Sequence, residues 1–347
     1  MRTLFKHYSF SLFFSFVCLA LAVWYGITST ANLEQTLSIV WIVFVLSILE
    51  ISLSFDNAVV NATVLKDMDP VWQRRFLTWG ILIAVFGMRI VFPIAIVAIV
   101  ANLGPIGATI LALNEPKQYE LIVSQSHIGI AGFGGSFLAM VGLTFFFSDQ
   151  KTVNWLTYVE SHMHKLSKVP GLEIALVLFT LYLISSSLSV EDSTVFLTAG
   201  ILGILTFVVI QAISELLERA EEKKRAAGLV VKSGLSGFLY LEVLDASFSF
   251  DGVIGAFALS NNIIVIALGL SVGAIFVRSI TIHLVSAGTL AEYRYLEHGA
   301  FWAISTLAAI MLMSAIFHIP ETITGLIGAT FIGCAFWSSY KYKLTKE

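Results

Sequence analysis

The chain has 347 residues, of which 57% are hydrophobic and only 12% charged, with a mean hydropathy of +0.88. A soluble chain of average composition carries about a quarter charged residues, so a soluble globular domain is excluded and an all-α, polytopic membrane protein is indicated. The net charge of −3 selects no partner, and the absence of a basic bias gives no reason to expect nucleic acid.

Apolar windows long enough to span a bilayer predict ten helices, near 9–29, 37–62, 77–101, 128–147, 172–190, 193–214, 236–258, 262–286, 300–317 and 321–340. The first carries basic residues before its apolar run, and Ser29-Thr30-Ala31 offers a small-residue cleavage site, so retention and removal of this span are both open. The fifth and sixth are separated only by Glu191-Asp192, which allows a fused or re-entrant pair. Gly132, Gly134 and Gly135 in the fourth lack the context of a phosphate loop and predict close helix approach instead. The segment from 102 to 127 reads as a long loop. Cys18 and Cys334 both lie in apolar runs and form neither a metal-ligand pattern nor a disulfide framework; each reads as a small buried hydrophobe.

Charge sets the orientation. With an N-terminus inside, seventeen of the 20 basic residues fall on one side, from Arg2 and Lys6 through Lys66, Arg74 and Arg75 to Lys341, Lys343 and Lys346. Lys117 alone falls outside, while Arg89 and Arg278 lie within spans. This asymmetry predicts that both termini are cytoplasmic.

The sequence also repeats itself. Residues 49–62 read Leu-Glu-Ile-Ser-Leu-Ser-Phe-Asp-Asn-Ala-Val-Val-Asn-Ala, and residues 244–257 read Leu-Asp-Ala-Ser-Phe-Ser-Phe-Asp-Gly-Val-Ile-Gly-Ala-Phe. Glu50 aligns with Asp245, and Asp56 with Asp251. Downstream, Gly80 and Arg89 match Gly269 and Arg278, His127 matches His298, and Val169-Pro170 matches Ile319-Pro320. The copies lie on the second and seventh spans, an offset of five, and an odd offset reverses orientation, so the expectation is two inverted repeats of about four helices with a site near the midplane at their interface. The organisation is then residues 1–34 as an added helix, 35–190 as the first repeat, 191–232 as a linking helix and basic loop, and 233–347 as the second repeat.

Carboxylates in hydrocarbon cost several kcal/mol unless paired, hydrated or neutralised. Glu50, Asp56 and Asn57 from one copy, and Glu242, Asp245 and Asp251 from the other, are therefore candidate cation ligands, with Ser54 and Ser249 adding hydroxyls. These are hard oxygen donors, which suit Mn²⁺, Ca²⁺ and Mg²⁺ better than Zn²⁺ or Cu⁺. Glu50 and Asp56 lie about 120° apart on a regular helix, so convergence requires a helix break or several helices around the site; Gly252 permits a break in the second copy. The competing reading is structural: the acids pair with Arg89 and Arg278 and hold helices together. His127 and His298 lie near span ends, as interfacial residues or as a proton relay. Glu173 and Glu321 follow the matched prolines and fit a helix first turn.

These residues resemble the TerC family of integral membrane proteins, in its longer branch catalogued as a domain of unknown function, within the wider LysE-like transporter group. The resemblance rests on Glu50 with Ser54-Phe55-Asp56-Asn57-Ala58, on Glu242 and Asp245 with Ser249-Phe250-Asp251, and on His318-Ile319-Pro320-Glu321, and covers about residues 35 to 340. It implies a bacterial inner-membrane protein that exports metal ions, chiefly Mn²⁺, through those six ligands. Gly252 stands where the first copy has Asn57, so the halves are chemically unequal.

The expected function is divalent-cation export coupled to protons or to membrane potential, with no enzyme activity and no prosthetic group; no nucleophile elbow, zinc-protease or nucleotide-binding motif is present. Two other classes stay open: proton-coupled export of a small organic or amino-acid-like solute, and a non-transporting membrane factor that assists insertion or metallation of secreted proteins. The expected partners are the lipid bilayer and the ion, with oligomeric state undetermined by sequence.

Overall fold

A computed structural model describes residues 2–30, 32–148, 153–166, 169–226, 234–257, 259–260, 262–288, 292–317, 319 and 321–344. Among the described residues it is all-helical. Among the described residues, seven helices are long and apolar enough to cross a membrane: Tyr8–Thr30, Leu33–Ser52, Pro70–Ile99, His127–Phe147, Val190–Leu217, Ile263–Ser286 and Leu296–Ser314. The protein is therefore a polytopic membrane protein.

In chain order the helices are α1 (Arg2–Thr30), α2 (Leu33–Leu53), α3 (Phe55–Leu65), α4 (Pro70–Arg75), α5 (Phe92–Val100), α6 (Pro105–Asn114), α7 (Pro116–Gln125), α8 (His127–Phe147) and α9 (Thr157–Leu166). They continue as α10 (Leu172–Ser185), α11 (Val190–Ala226), α12 (Leu235–Phe257), α13 (Ile263–Ser286), α14 (Leu296–Ser314) and α15 (Glu321–Leu344). Two π-helical segments, Phe76–Gly80 and Ile83–Val91, join α4 to α5 in one apolar rod.

Several boundaries differ from expectation for local reasons. The chain turns at residues 186–189, before Glu191 and Asp192, because Ser189 caps α11: its hydroxyl accepts from the Asp192 N–H at 3.2 Å and donates to Asp192 Oδ2 at 2.8 Å. Glu191 and Asp192 thus occupy the first turn of α11. The segment 102–127 is two short helices, each with Pro at its start, where the missing N–H is no loss. Tyr119 of α7 is fully buried against Phe257, and this burial raises its phenol above the ordinary value. Glu173 lies in the first turn of α10. Cys18 is buried, but Cys334 is exposed on α15, so only the first behaves as a core residue.

The chain forms two compact units. The first contains Met1–Ala58, Arg75–Ser126 and Phe248–His283. Its core joins α1, α2 and α13 through Ala22, Val43 and Val265. Asn262 caps α13 through Oδ1 and donates Nδ2 to the Tyr25 hydroxyl at 2.6 Å. The second unit contains Val59–Arg74, His127–Ser247 and Leu284–Glu347. Helices α3 and α12 contribute to both.

In the second unit, α8 packs by its small residues. A side-chain carbon at Gly132 would stand 2.6 Å from the Phe196 carbonyl, and one at Gly135 would stand 2.8 Å from Leu312. Ser136 donates to the Gly200 carbonyl at 2.8 Å, while Gly203 of α11 lies against Ser136 and the Phe133 carbonyl. With no apolar solvent effect to press helices together in lipid, such close approach supplies the dispersion that holds them. Gly132→Leu should therefore lower the thermal midpoint in detergent, corresponding to about 1–3 kcal/mol of overpacking. Gly333→Ala, where a side-chain carbon meets nothing within 4 Å, should leave it unchanged; equal midpoints for the two variants would refute this packing.

Candidate functional site

The first acidic copy lies at a helix interruption. Between α2 and α3, Ser54 takes φ −100° and ψ 16°, while its N–H still bonds the Glu50 carbonyl at 3.0 Å. The break occurs in the first copy, not at Gly252: α12 runs unbroken from Leu235 to Phe257. Gly252 is needed for space instead, since a side-chain carbon there would stand 2.7 Å from Glu50 Oε2. Gly273 of α13 lies against the Glu50 side chain in the same way.

Glu50 is 2% exposed. Its Oε1 accepts from Arg89 Nη2 at 2.5 Å and from Ser54 Oγ at 3.2 Å. Arg89 also donates through Nη1 to the Ala84 carbonyl at 2.8 Å. The matched Arg278, equally buried, donates to the carbonyls of Phe76 and Gly80 at 3.4 and 3.0 Å and stacks over the Phe76 ring at 3.7 Å. Both arginines thus bind carbonyls of the π-helical segments, where the widened turn departs from the i→i−4 ladder. For Glu50, the acid–arginine pair of the competing structural reading is present in the structure.

The other motif residues are distributed as follows. In the first unit Asn57 and Ser249 are buried, and among the described residues the Ser249 hydroxyl has no hydrogen-bond partner. Asp56 lies in the first turn of α3 and Asp251 within α12, but their side chains lie outside the described residues, as do His318, Pro320 and the side chain of Glu321. In the second unit Glu242 is buried, and Asp245 Oδ1 accepts from Asn61 Nδ2 at 2.8 Å. Among the described residues, no group of three His, Cys, Asp or Glu side chains is placed to hold a metal ion.

Sequence reasoning missed Asn61. It sits one turn beyond Asn57 on α3 and is 1% exposed, and among the described residues its Oδ1 has no hydrogen-bond partner. The i,i+4 spacing from Asn57 was the available signal. Glu160 was missed as well. It is fully buried and caps its own helix α9 through the N–H groups of Trp155 and Leu156, both at 3.2 Å. It also accepts from His298 Nδ1 at 2.9 Å and from Trp302 Nε1 at 3.0 Å. His298 is therefore a buried partner of a carboxylate at the start of α14; His127 approaches Ser314 Oγ at 3.3 Å.

The class defined by this arrangement is an all-helical polytopic membrane protein with ionisable side chains buried in its apolar helices. Residues 55–345 match the family described as "Protein of unknown function (DUF475)", and the chain belongs to that family. No curated protein and no solved structure matches it.

A buried pair deprived of one partner leaves an uncompensated charge, which costs about 3–5 kcal/mol. Arg89→Met should lower the thermal midpoint strongly, and adding Glu50→Gln to that variant should recover much of the loss. A double-mutant cycle read in detergent tests this; simply additive losses would show that the pair is not coupled.

Proposed function

We propose that this protein exports a divalent cation, most favourably Mn²⁺, across a bacterial inner membrane. In this reading ten spans run with both termini in the cytoplasm, and two inverted repeats supply the ligands, as the resemblance to the TerC family implies. Glu50, Asp56 and Asn57 come from one copy, and Glu242, Asp245 and Asp251 from the other.

One observation carries the proposal: an acidic motif duplicated in register within apolar helices. Of its described members, Glu50, Asn57 and Glu242 are buried and Asp245 is part-buried. A single acid held by a single arginine is structural economy. Five acids across two copies exceed the charge of Arg89 and Arg278, and oxygen donors alone suit a hard divalent ion. The surplus carboxylate charge also gives the site a group to take up a proton as the ion leaves, which couples export to proton antiport; membrane potential is the other drive. Ser249, buried with its hydroxyl unpartnered among the described residues, adds a neutral donor beside Asp251 in sequence.

Purified protein in liposomes should carry Mn²⁺ saturably, with Ca²⁺ and Mg²⁺ as stronger competitors than Zn²⁺. Asp56→Asn and Asp251→Asn should each reduce that flux by at least about tenfold, the effect of losing about 1.4 kcal/mol of ion stabilisation. Undiminished flux in both variants would refute the ligand assignment. Absence of divalent flux from folded wild-type protein would refute export.

A further inference from the structure

Asn61 lies in the first matched stretch, yet its counterpart in the second is Ala256. The duplication therefore does not account for it. Asn61 belongs to the second unit and is 1% exposed. It reaches across to α12, where its Nδ2 donates to Asp245 Oδ1 at 2.8 Å. That bond fixes the sense of the amide. An ionised carboxylate only accepts, so the nitrogen takes the place against Asp245. Asn61 Oδ1 is left as a separate acceptor beside it. This oxygen is shielded from solvent and, among the described residues, has no hydrogen-bond partner.

Holding α3 against α12 does not require such an atom. The neighbours Val59, Val60 and Ala62 are fully buried with no side-chain polar group. A buried acceptor left unmet is costly, more so than an apolar side chain of the same shape. Water does not meet the need, because the oxygen is closed to it and a hydrogen-bonded water stands about 2.8 Å from its acceptor. A hard cation stripped of water comes closer, to about 2.0–2.6 Å, and takes amide carbonyls together with carboxylates.

The carboxylates are at hand on the facing helix. Asp245 is the one the amide touches. Glu242 is buried three residues earlier on α12, a spacing that puts the two acids on neighbouring positions of one face. Their two charges match a divalent ion. An amide oxygen adds a bond without adding charge, and it suits hard ions rather than soft ones.

We propose that Asn61 is a further ligand of the exported ion, a neutral amide oxygen that binds the divalent cation beside Asp245 and Glu242. The hydrogen bond to Asp245 holds the amide in the sense that keeps its oxygen available. The assignment deepens the proposed export function and rests on it for the identity of the ion.

The test compares full-length wild type, Asn61→Leu and Asn61→Asp in detergent. Leucine keeps the volume and removes both polar atoms of the amide. Aspartate keeps the oxygen and removes the donor, which sets two carboxylates side by side for a cation to bridge. Mn²⁺ binding, read by the paramagnetic resonance of the free ion, should weaken by at least about tenfold in Asn61→Leu. It should be at least as tight as wild type in Asn61→Asp. The thermal midpoint gives a second reading. Without Mn²⁺, Asn61→Asp should melt below wild type. Mn²⁺ should raise its midpoint by more than it raises that of wild type, and NaCl of equal ionic strength should not. If Asn61→Leu fails to fold, the response of Asn61→Asp decides alone.

A residue that only ties α3 to α12 predicts a different pattern: both midpoints fall and the response to Mn²⁺ is the same in all three proteins. Equal Mn²⁺ affinity in wild type and Asn61→Leu, or recovery of Asn61→Asp by NaCl as fully as by Mn²⁺, would overturn the assignment and leave export standing. Binding that depends on Asn61 in a protein that carries no Mn²⁺ flux would leave the ligand standing and sink export. Folded wild type that binds no Mn²⁺ would overturn both.

Discussion

A carboxylate inside an apolar helix must be compensated where it stands, and the surroundings of Glu50 are arranged around that requirement. The carboxylate is almost fully buried and rests on Arg89 and Ser54. Two glycines, Gly252 and Gly273, clear the space it fills. Arg89 reaches it from a π-helical segment, and the same distortion exposes carbonyls that Arg89 and Arg278 bind. The helix carrying Glu50 is interrupted four residues later, at the very serine that bonds it. Each of these features is costly by itself in a membrane helix; they are stable together because each satisfies a polar group left by another.

The two units divide the matched elements in a telling way. Arg89 and Arg278 belong to the first unit, whereas His127 and His298 belong to the second. Each unit therefore draws on both sequence copies. Within the second unit the two histidines stand in different surroundings: His298 meets the buried Glu160, and His127 approaches a serine.

Membrane character, the main apolar helices and the close approach of α8 were legible because they depend on composition and on small residues at fixed spacing. The Glu50–Arg89 contact was legible as an alternative only, since a sequence offers an acid and an arginine without saying whether they meet. The site of the break was not legible. Gly252 permits unusual backbone angles, but the structure uses its missing side chain for space and places the interruption at Ser54. Glu160 escaped because its partners lie in a different helix 138 and 142 residues away, and no local pattern marks such a contact. Asn61 escaped because an asparagine beside a strong acidic motif reads as part of the helix wall. The fold follows from patterns repeated along the chain; the polar contacts follow from single side chains brought together only by packing.

The account's central claim is that the acids of the duplicated motif bind a divalent cation. Its most direct test is equilibrium binding of Mn²⁺ to the purified protein in detergent, read by the paramagnetic resonance of the free ion, for wild type and for Asp251→Asn. Saturable binding of at least one ion per chain, lost in the variant, is the predicted result. Mn²⁺ that stays free in the presence of folded wild-type protein, or that binds equally well to the variant, would contradict it.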